Sequence, residues 1–379
     1  MSHRVELQLL DYLRRAPDPR VRGMIVYPLD EILLLLLCGM LCALEDIDDI
    51  AFWGNEHLDF LREFLPYENG IPKSQTIRRV LSAINNDHFS ICFEKWACAI
   101  NQIIRGVIAV DGKTIKGSRK SAEDGLSQTH IVSAFAHEAG IVLGQQKVDD
   151  KSNEITAIPE LLERLLSIEG AIITIDAMGT QTEIVRTIRS RKADYLLALK
   201  GNQGTLHEDV KLFFSENSKD VVWDEYEDTD IGHGRIEVRK CTATEDIDWL
   251  KIRHSDWKDL KTIIKIDSMR INKTTGIQNN ETRYYISSLP AKAENCLSCL
   301  RAHWSIENQL HWMLDMRFRE DSCRIRTDHA PANVSTIRKT AMNLLKQDKT
   351  KMPVKRKQLR AMCDHRYLTS LITSSFVNN

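Results

Sequence analysis

The first hundred positions carry apolar residues at helical spacing. Residues 32–44 are almost entirely apolar, and residues 46–65 and 89–104 place apolar side chains three and four positions apart. This pattern predicts buried or amphipathic helices. Asp30 and Ser74 stand near the starts of two of them, where a side-chain oxygen commonly caps a helix. The stretch 32–44 is shorter than the roughly 20 residues that cross a bilayer, so we expect no membrane partner.

The pattern changes near residue 105. Residues 107–110 and 172–175 are continuous apolar runs, which are typical of strands covered on both faces. Residues 129–137 and 141–148 flank a glycine and predict a hairpin, and a third apolar run occupies 195–199. Helical spacing over 155–168 and 181–191 separates these strands. The order predicts a mixed sheet with helices packed on it.

Residues 218–290 are rich in Val, Ile, Thr, Tyr and Trp, are punctuated by Gly and Asn, and indicate a β-rich insertion. Helical spacing returns at 293 and continues to 314. The predicted fold class is therefore α/β, with a β-rich insertion and an all-helical amino-terminal domain. The predicted boundaries are 1–102 for the helical domain, 103–217 and 291–345 for the two parts of the α/β domain, 218–290 for the insertion, and 346–379 for a basic tail.

Composition narrows the class of protein. With 379 residues, 42% hydrophobic and 28% charged, the chain is expected to be globular and soluble. The formal net charge of −1 means that any basic surface is local. Residues 338–366 hold ten Lys or Arg and two acids, which favours either a DNA-binding surface or a solvated helix. Nine scattered cysteines and no signal peptide indicate a cytoplasmic protein.

Three carboxylates stand where chemistry is expected. The apolar runs at 107–110 and 172–175 end in Asp111 and Asp176, and Glu307 lies on a helical stripe that is otherwise mostly apolar. Carboxyl ends of adjacent strands share one edge of a sheet, so the two aspartates can meet there. Oxygen ligands without a nearby thiol suit Mg²⁺ or Mn²⁺, and two such ions would support phosphodiester cleavage. The alternative interpretation of each aspartate is a loop residue or a helix cap.

The motifs around these residues resemble a known family. AVDGKTIKGS surrounds Asp111, TIDAMGTQTEI surrounds Asp176, and HWSIENQLHWMLDMRFRED surrounds Glu307. Together with LLALKGNQ at 196–203 and HGRIEVR at 233–239, they resemble the DDE transposases of bacterial insertion sequences, in the H-repeat-associated branch found near Rhs elements. The likeness covers nearly the whole chain, including the helical amino-terminal part.

The resemblance implies a ribonuclease-H-like catalytic domain interrupted by a β-rich insertion. It also implies that Asp111, Asp176 and Glu307 form the catalytic, metal-binding triad, with two Mg²⁺ or Mn²⁺ ions as cofactors. The implied partners are double-stranded transposon ends and target DNA, bound by a homodimer associated with the nucleoid. A transposase remnant that only binds DNA, and a metal-dependent nuclease of the same fold, remain as alternatives.

One departure affects the DNA contacts. Related transposases often carry a Tyr-x-x-Arg-x-x-x-Glu-(six residues)-Lys pattern on the last catalytic helix, and this chain has Leu300, His303, Glu307 and Leu314 there. Phosphate contacts must therefore come from other groups. The candidate DNA-binding residues are polar or basic and lie near the carboxylates or in turns: Lys113, Lys116, Lys200, Gln203, His233, Arg235, His303, His311 and Arg317. Arg78 and Arg79 follow a turn and suggest a helix-turn-helix-like element.

Overall fold

The computed structural model describes residues 8–99, 105–119, 127–149, 152–166, 168–216, 219–232 and 234–373. The first part of the described chain is helical. Its helices are α1 (Gln8–Arg14), α2 (Leu29–Leu41), α3 (Ile47–Glu56), α4 (Leu58–Arg62), α5 (Ser74–Ala83) and α6 (Asn86–Ala99). The leucine-rich α2 is buried along almost its whole length, as its apolar sequence predicted.

Helix starts in this part differ from the sequence prediction. Pro28 precedes α2 and Asp30 lies in its first turn, while Lys73 precedes α5 and Ser74 is its first residue. Neither helix has a side-chain hydrogen bond that caps its first turn. The residue before each helix has an extended backbone conformation, and the helix begins at the next residue. The predicted helix over 46–65 is two helices, and the predicted end of α6, residues 100–104, lies outside the described residues.

The part of the chain after α6 is built on a mixed sheet of nine strands within the described residues. The spatial order is β3-β2-β1-β4-β5-β9-β8-β7-β6, with β1–β4 and β4–β5 parallel and the other pairs antiparallel. The strands are β1 (Gly106–Thr114), β2 (His130–Ala136), β3 (Ile141–Val148), β4 (Ala171–Ile175), β5 (Asp194–Leu199), β6 (Asp224–Gly232), β7 (Arg235–Thr244), β8 (Thr262–Asn272) and β9 (Gln278–Ser287).

The stretch 218–290, interpreted as β-rich, supplies β6 to β9, which extend the same sheet beyond β5. Helices pack on the sheet and follow it. They are α7 (Glu154–Arg164), α8 (Thr182–Ser190), α9 (Thr205–Glu216), α10 (Asp248–Arg253), α11 (Ala293–His303), α12 (Trp312–Arg317), α13 (Ala330–Gln347), α14 (Val354–Cys363) and α15 (His365–Thr373). A π-helical turn, Ile306–His311, joins α11 to α12.

Helix α13 lies at the centre of the molecule. Every residue from Ala330 to Leu345 is buried, and the helix packs against α2, α5, α6 and β3. Several of its polar residues have partners; Asn343, for example, pairs through its amide with both the N–H and the C=O of Val142 on edge strand β3 (2.9 and 2.8 Å). Satisfied polar groups of this kind fix how a helix sits on a sheet. One hydrophobic cluster runs continuously from the first helices through the sheet to α15.

The basic stretch 338–366 is only partly a surface. Arg338, Lys339 and Lys357 are buried, and the Lys357 ammonium donates to the carbonyl oxygens of Leu345 and Asp348 (2.9 and 2.6 Å). Those side chains stabilise the packing of α13 and α14. Among the described helices, none has both the length and the apolar content needed to cross a membrane.

Candidate active site

The two aspartates lie on neighbouring parallel strands. Val110 of β1 is paired with Ile175 of β4, so Asp111 and Asp176 are the next residues of each strand at the same edge. Strand β1 continues past Asp111 to Thr114 because β2 pairs with it there, whereas β4 ends at Ile175. The Asp176 carboxylate accepts hydrogen bonds from the backbone N–H groups of Met178 and Gly179 (3.0 and 3.2 Å), which fix its loop.

Glu307 lies in the π-helical turn Ile306–His311. We expected Glu307 to point inward on a regular helical stripe, but its side chain is 52% exposed. The π-helical turn changes the number of residues per helical turn after α11. The row of side chains that includes Trp304 and Glu307 therefore does not continue into the hydrophobic core. Ile306, Leu310 and His311 are the buried residues of the turn. Glu307 therefore reaches the site from the rim of the sheet.

Asp111, Glu307 and His311 form one cluster. Their ligand atoms all lie within 4.8 Å of one another. The Nδ1 atom of His311 is 3.5 Å from Glu307 Oε2 and 3.7 Å from Asp111 Oδ2. Within the described chain, this three-residue group does not include Asp176. His303 lies between the three-residue cluster and Asp176. Its Nδ1 atom is 3.0 Å from Thr174 Oγ1 on β4, and the charges of Asp176 and Glu307 both affect its pKa.

The electrostatics of the cluster are strongly negative. The pKa of Asp111 is raised to about 7, chiefly by burial; His311 opposes this rise and the Glu307 carboxylate contributes to it. The hydrogen bond from His311 lowers the pKa of Glu307. Burial lowers the pKa of His303. Among the described residues, no Lys or Arg lies within 4.0 Å of Asp111, Asp176 or Glu307.

This donor set fits a divalent cation. Two carboxylates and the imidazole of His311 converge. No Lys or Arg among the described residues lies close enough to relieve the repulsion between the carboxylates. Carboxylate oxygens are ligands for Mg²⁺ and Mn²⁺, and imidazole is accepted by Mn²⁺ and later transition metals. Asp111, Glu307 and His311 are thus the residues that could hold one ion, with Asp176 on the adjacent strand.

A histidine–glutamate pair lies against Gly112, the residue after Asp111 on β1. His130 Nε2 is 2.6 Å from Glu154 Oε1, and His130 Nδ1 is 2.8 Å from Thr114 Oγ1. A Cβ atom on Gly112 would collide with the ends of both the Glu154 and His130 side chains, so any larger residue there must displace this pair. The Glu154 charge also contributes to the raised pKa of Asp111. Sequence reasoning missed this pair, because 24 positions separate its members along the chain.

For the DNA strand cleavage that the family resemblance implies, Gly112→Ala is expected to lower the rate by about tenfold, because the methyl group displaces the His130–Glu154 pair next to the strand that carries Asp111. Cleavage rates at saturating metal and DNA are the measurement. Gly232→Ala is the matched control, since a Cβ there meets open space and should leave the rate unchanged. Equal rates for the Gly112→Ala variant and the wild type would show that the pair does not influence the site.

The loop after β4 is held by the turn at 200–203. Gln203 Nε2 donates to the carbonyl oxygens of Ala177 and Thr180 (2.8 and 3.2 Å), and its Oε1 accepts from the backbone N–H of Lys200 (2.8 Å). Gln203 was predicted as a DNA contact; the structure places its amide against the Asp176 loop, where it supports the carboxylate. The side chain of Lys200 is exposed at the same edge of the sheet.

Lys113 and Lys116 follow Asp111 and were predicted to contact DNA. The structure places the Lys113 ammonium 2.8 Å from Asp315 and Asp321 and 3.6 Å from Glu320. Only 12% of that side chain is exposed, so its charge is used within the protein. Lys116 is 77% exposed and lies 2.9 Å from Asp321.

The remaining predicted contacts are spread over the surface. Arg235 begins β7 and pairs with Glu237 at 2.8 Å, and the Arg317 guanidinium lies 5.6 Å from the centre of the Trp312 ring. His233 lies outside the described residues. His311, predicted as a DNA contact, is instead buried beside Asp111 and Glu307. Its position four residues after Glu307 was the signal that could have placed it in the carboxylate cluster.

Comparison with known proteins gives consistent matches. The family model "Transposase DDE domain" matches residues 104–344, and the model "DDE_Tnp_1-associated" matches residues 10–97. "Putative transposase YncI" of Escherichia coli O157:H7 is 40% identical over 97% of this chain and 94% of its own length. "H repeat-associated putative transposase YhhI" of Escherichia coli K12 is 39% identical over 97% of this chain and 98% of its own length.

A cryo-EM structure of a piggyBac transposase synaptic complex with hairpin DNA covers 98% of this chain and 80% of that chain, with 12% identity and a TM-score of 0.41. That likeness is too distant to support any argument, whereas the family model alone spans more than half of the chain. The family matches and the two close relatives agree with each other over the same residues. The chain belongs to the DDE transposase family, in its H-repeat-associated branch.

Proposed function

We propose that the protein catalyses metal-dependent DNA strand cleavage and strand transfer at the ends of an insertion sequence. The observation that carries this proposal is the cluster at the sheet edge, where the largely buried Asp111 meets Glu307 and His311, with no Lys or Arg within 4.0 Å of either carboxylate in the described chain. Asp176 stands at the same edge on the next strand. Asp111, Asp176 and Glu307 are proposed as the catalytic carboxylates, holding two Mg²⁺ or Mn²⁺ ions.

The order of the strands supports a ribonuclease-H-like core. A hairpin-linked antiparallel trio, β3-β2-β1, is followed by the parallel strands β4 and β5. Of the proposed catalytic residues, Asp111 lies on β1 and Asp176 directly follows the neighbouring strand β4. The segment 218–290 would then be an insertion that widens this core before the helix bearing Glu307. We also propose that residues 1–102 form a helical domain. The stretch 346–379, predicted as a basic tail, carries α14 and α15 in its described part, and these helices pack on α1, α2 and α13 within the hydrophobic cluster.

The chain's own residues prepare the site in three ways. Backbone N–H groups of Met178 and Gly179 orient the Asp176 carboxylate. His311 holds Glu307 and keeps its carboxylate ionised. Burial of Asp111 excludes water from one side of the site. Divalent ions, when bound, would lower the pKa of an attacking water or hydroxyl and stabilise the leaving oxyanion.

The proposed substrates are double-stranded transposon ends and target DNA. The first reaction would be hydrolysis at a transposon end, releasing a 3′ hydroxyl. That hydroxyl would then attack a target phosphodiester at the same carboxylates, with the cleaved target strand as leaving group. A homodimer bound to two ends would bring them together.

The test is a cleavage assay on duplexes that carry the terminal repeats flanking the gene. The wild-type protein is expected to nick the repeat boundary with Mg²⁺ or Mn²⁺ and to be inactive in chelator. Binding without any metal-dependent nicking would indicate a transposase remnant. Nicking that does not require a terminal repeat would indicate a general nuclease, and either result would overturn the proposal.

A further inference from the structure

Two basic segments meet beside the active site. Residues 116–119 follow β1, and residues 319–326 follow α12. Their short 3₁₀ turns, Lys116–Ser118 and Glu320–Ser322, pack against each other. A Cβ atom on Gly117 would overlap the carbonyl oxygen of Cys323, so the two backbones touch where only glycine fits. We call this paired structure, residues 116–119 with 319–326, the basic ledge.

The acids of the basic ledge point inward. Glu320 is 1% exposed and faces Lys113 and Arg338, at 3.6 and 4.0 Å. Asp321 binds the ammonium groups of Lys113 and Lys116. Both negative charges are therefore neutralised within the fold, although they lie among the arginines in the sequence.

The bases of the ledge point outward. Every one of its basic side chains is exposed: Lys116, Arg119, Arg319, Arg324 and Arg326. Arg319 is 72% exposed and lies 3.6 Å from Glu45. Within the described parts of the chain, no carboxylate lies within 4.0 Å of Arg324 or Arg326, and Arg326 donates to the carbonyl oxygen of Gly117 (3.2 Å). The outward face thus presents two guanidinium groups, those of Arg324 and Arg326, without a paired carboxylate among the described residues.

The position of the ledge connects it to the catalytic carboxylates. Strand β1 runs from Asp111 to Thr114, and Lys116 follows two residues later. At about 3.3 Å per extended residue, the ledge begins roughly 15 Å from Asp111. That distance is less than half of a DNA helical turn of about 34 Å. A duplex with a phosphodiester at Asp111 would therefore pass the ledge within the same turn.

Other arginine-rich places on the molecule are less available. A groove of about 470 Å³ between β7, β8, β9 and α11 is lined by five arginines, but each is paired with a carboxylate. Glu237 alone pairs with Arg235, Arg239 and Arg270, while Glu281 and the acids of β6 pair with the others. The stretch 338–366 uses several of its charges internally.

We propose that the basic ledge holds the sugar–phosphate backbone of double-stranded DNA next to the scissile bond. The inference rests on the proposed function and adds the surface that positions its substrate. Guanidinium groups suit phosphate oxygens because their donors are planar and paired. The contacts would be to phosphates alone, so they would fix the register of the duplex without reading its sequence.

The test compares charge-neutralised variants in DNA binding. Arg324→Gln/Arg326→Gln is the ledge variant, and Lys192→Gln/Lys258→Gln is the matched control. The control residues are also exposed and lie near the start of β5, at the opposite end of the parallel strands from Asp176. Affinity is measured without metal on a terminal-repeat duplex and on a scrambled duplex, between 50 and 200 mM salt.

The ledge variant is expected to bind both duplexes about tenfold more weakly at the higher salt, and the control is expected to match the wild type. The slope of log affinity against log salt should become shallower by about two for the ledge variant, because two phosphate contacts are lost. Metal-dependent nicking at subsaturating DNA should fall in about the same proportion as the affinity of the ledge variant, and it should be unchanged in the control.

Three results would overturn the inference. The ledge variant could bind both duplexes as tightly as the wild type with the same salt slope, or the control could weaken binding equally. In both cases a wild type that still nicks repeat ends would leave the proposed function standing. A wild type that binds no duplex and nicks none would overturn the inference and the proposed function together. Thermal melting of each variant checks that the fold is intact, and Lys116→Gln provides a second ledge substitution.

Discussion

Asp111→Asn is expected to abolish metal-dependent strand cleavage, with a loss of a thousandfold or more, while DNA binding is preserved. The loss follows because Asp111 supplies a buried oxygen ligand beside Glu307, and an amide cannot provide the negative charge that holds a divalent ion there. Asp176→Asn and Glu307→Gln are expected to give comparable losses. Cleavage rates on repeat-end duplexes with Mg²⁺ are the measurement.

The same substitution should not weaken the metal-free fold. Burial and the Glu307 charge hold the pKa of Asp111 at about 7, so the ionised Asp111 carboxylate destabilises the folded state at neutral pH. Asn removes that penalty, and the metal-free variant should melt at the same temperature as the wild type or slightly higher. Mg²⁺ should raise the melting temperature of the wild type but not that of the variant.

Glu216→Gln is a suitable control, because it removes an exposed carboxylate at the end of α9 and should change neither cleavage nor the effect of Mg²⁺ on melting. Full cleavage by any one of the three variants would refute the assignment of that carboxylate. A variant that no longer binds DNA would show that the residue supports the fold or the DNA surface instead.

The central strands were predictable because strands that are buried on both faces consist mostly of apolar residues. The runs 107–110 and 172–175 are apolar on both faces of the sheet, and both became central parallel strands. The pairing of Asp111 and Asp176 at one edge followed from that. The further extension of β1 to Thr114 did not, since it depends on partners in β2 that hydrogen bond to polar positions.

The orientation of Glu307 was not predictable from periodicity. A stripe at intervals of three and four assumes a continuous α-helix, and the π turn at Ile306–His311 breaks that assumption without a Pro or Gly to signal it. The same turn brings His311 between Glu307 and Asp111. Asp111 and Glu307 were therefore recognised from their sequence motifs. Their contact with each other depends on the tertiary structure and could not be predicted from those motifs.

Charge counts were a poor guide to the surface. The stretch 338–366 looked like the strongest basic patch, yet the Lys339 ammonium is buried between Ser133 Oγ and Gln145 Oε1 (2.9 and 2.6 Å). Both partners are more than 190 positions away in sequence. The basic ledge was not predicted, because Glu320 and Asp321 balance the charge of its arginines when residues are counted along the sequence. In the fold both acids point inward and pair with Lys113.

Long-range polar contacts also determine stability, and Arg164→Met is expected to lower the free energy of unfolding by about 3–5 kcal/mol. Arg164 at the end of α7 makes two hydrogen bonds to the Glu94 carboxylate of α6 (2.9 and 3.1 Å) and one to the carbonyl oxygen of Gln145 (2.9 Å). Glu94 is only 3% exposed, so the variant leaves a buried carboxylate without a counter-charge. Chemical denaturation followed by circular dichroism is the measurement.

The pH dependence of the stability of Arg164→Met should show whether the unpaired Glu94 carboxylate causes the loss. Burial already raises the pKa of Glu94 in the wild type, against the opposing effect of Arg164, and removal of Arg164 should raise it further. A carboxyl with a raised pKa binds its proton more tightly in the folded state than in the unfolded chain. The stability of Arg164→Met should therefore be best preserved below the ordinary Glu pKa of 4.5 and should fall as the pH rises through the raised pKa of the folded state.

A double-mutant cycle separates this pair from ordinary surface charge. Glu94→Leu/Arg164→Met should recover more than half of the loss, because no unpaired buried charge remains. The exposed pair Glu183–Arg186 is the matched control, and Arg186→Met should cost less than about 1 kcal/mol. If Arg164→Met cost no more than Arg186→Met, the link between α6 and α7 would not contribute to stability, and the first helices would have to be held on the sheet by apolar packing alone.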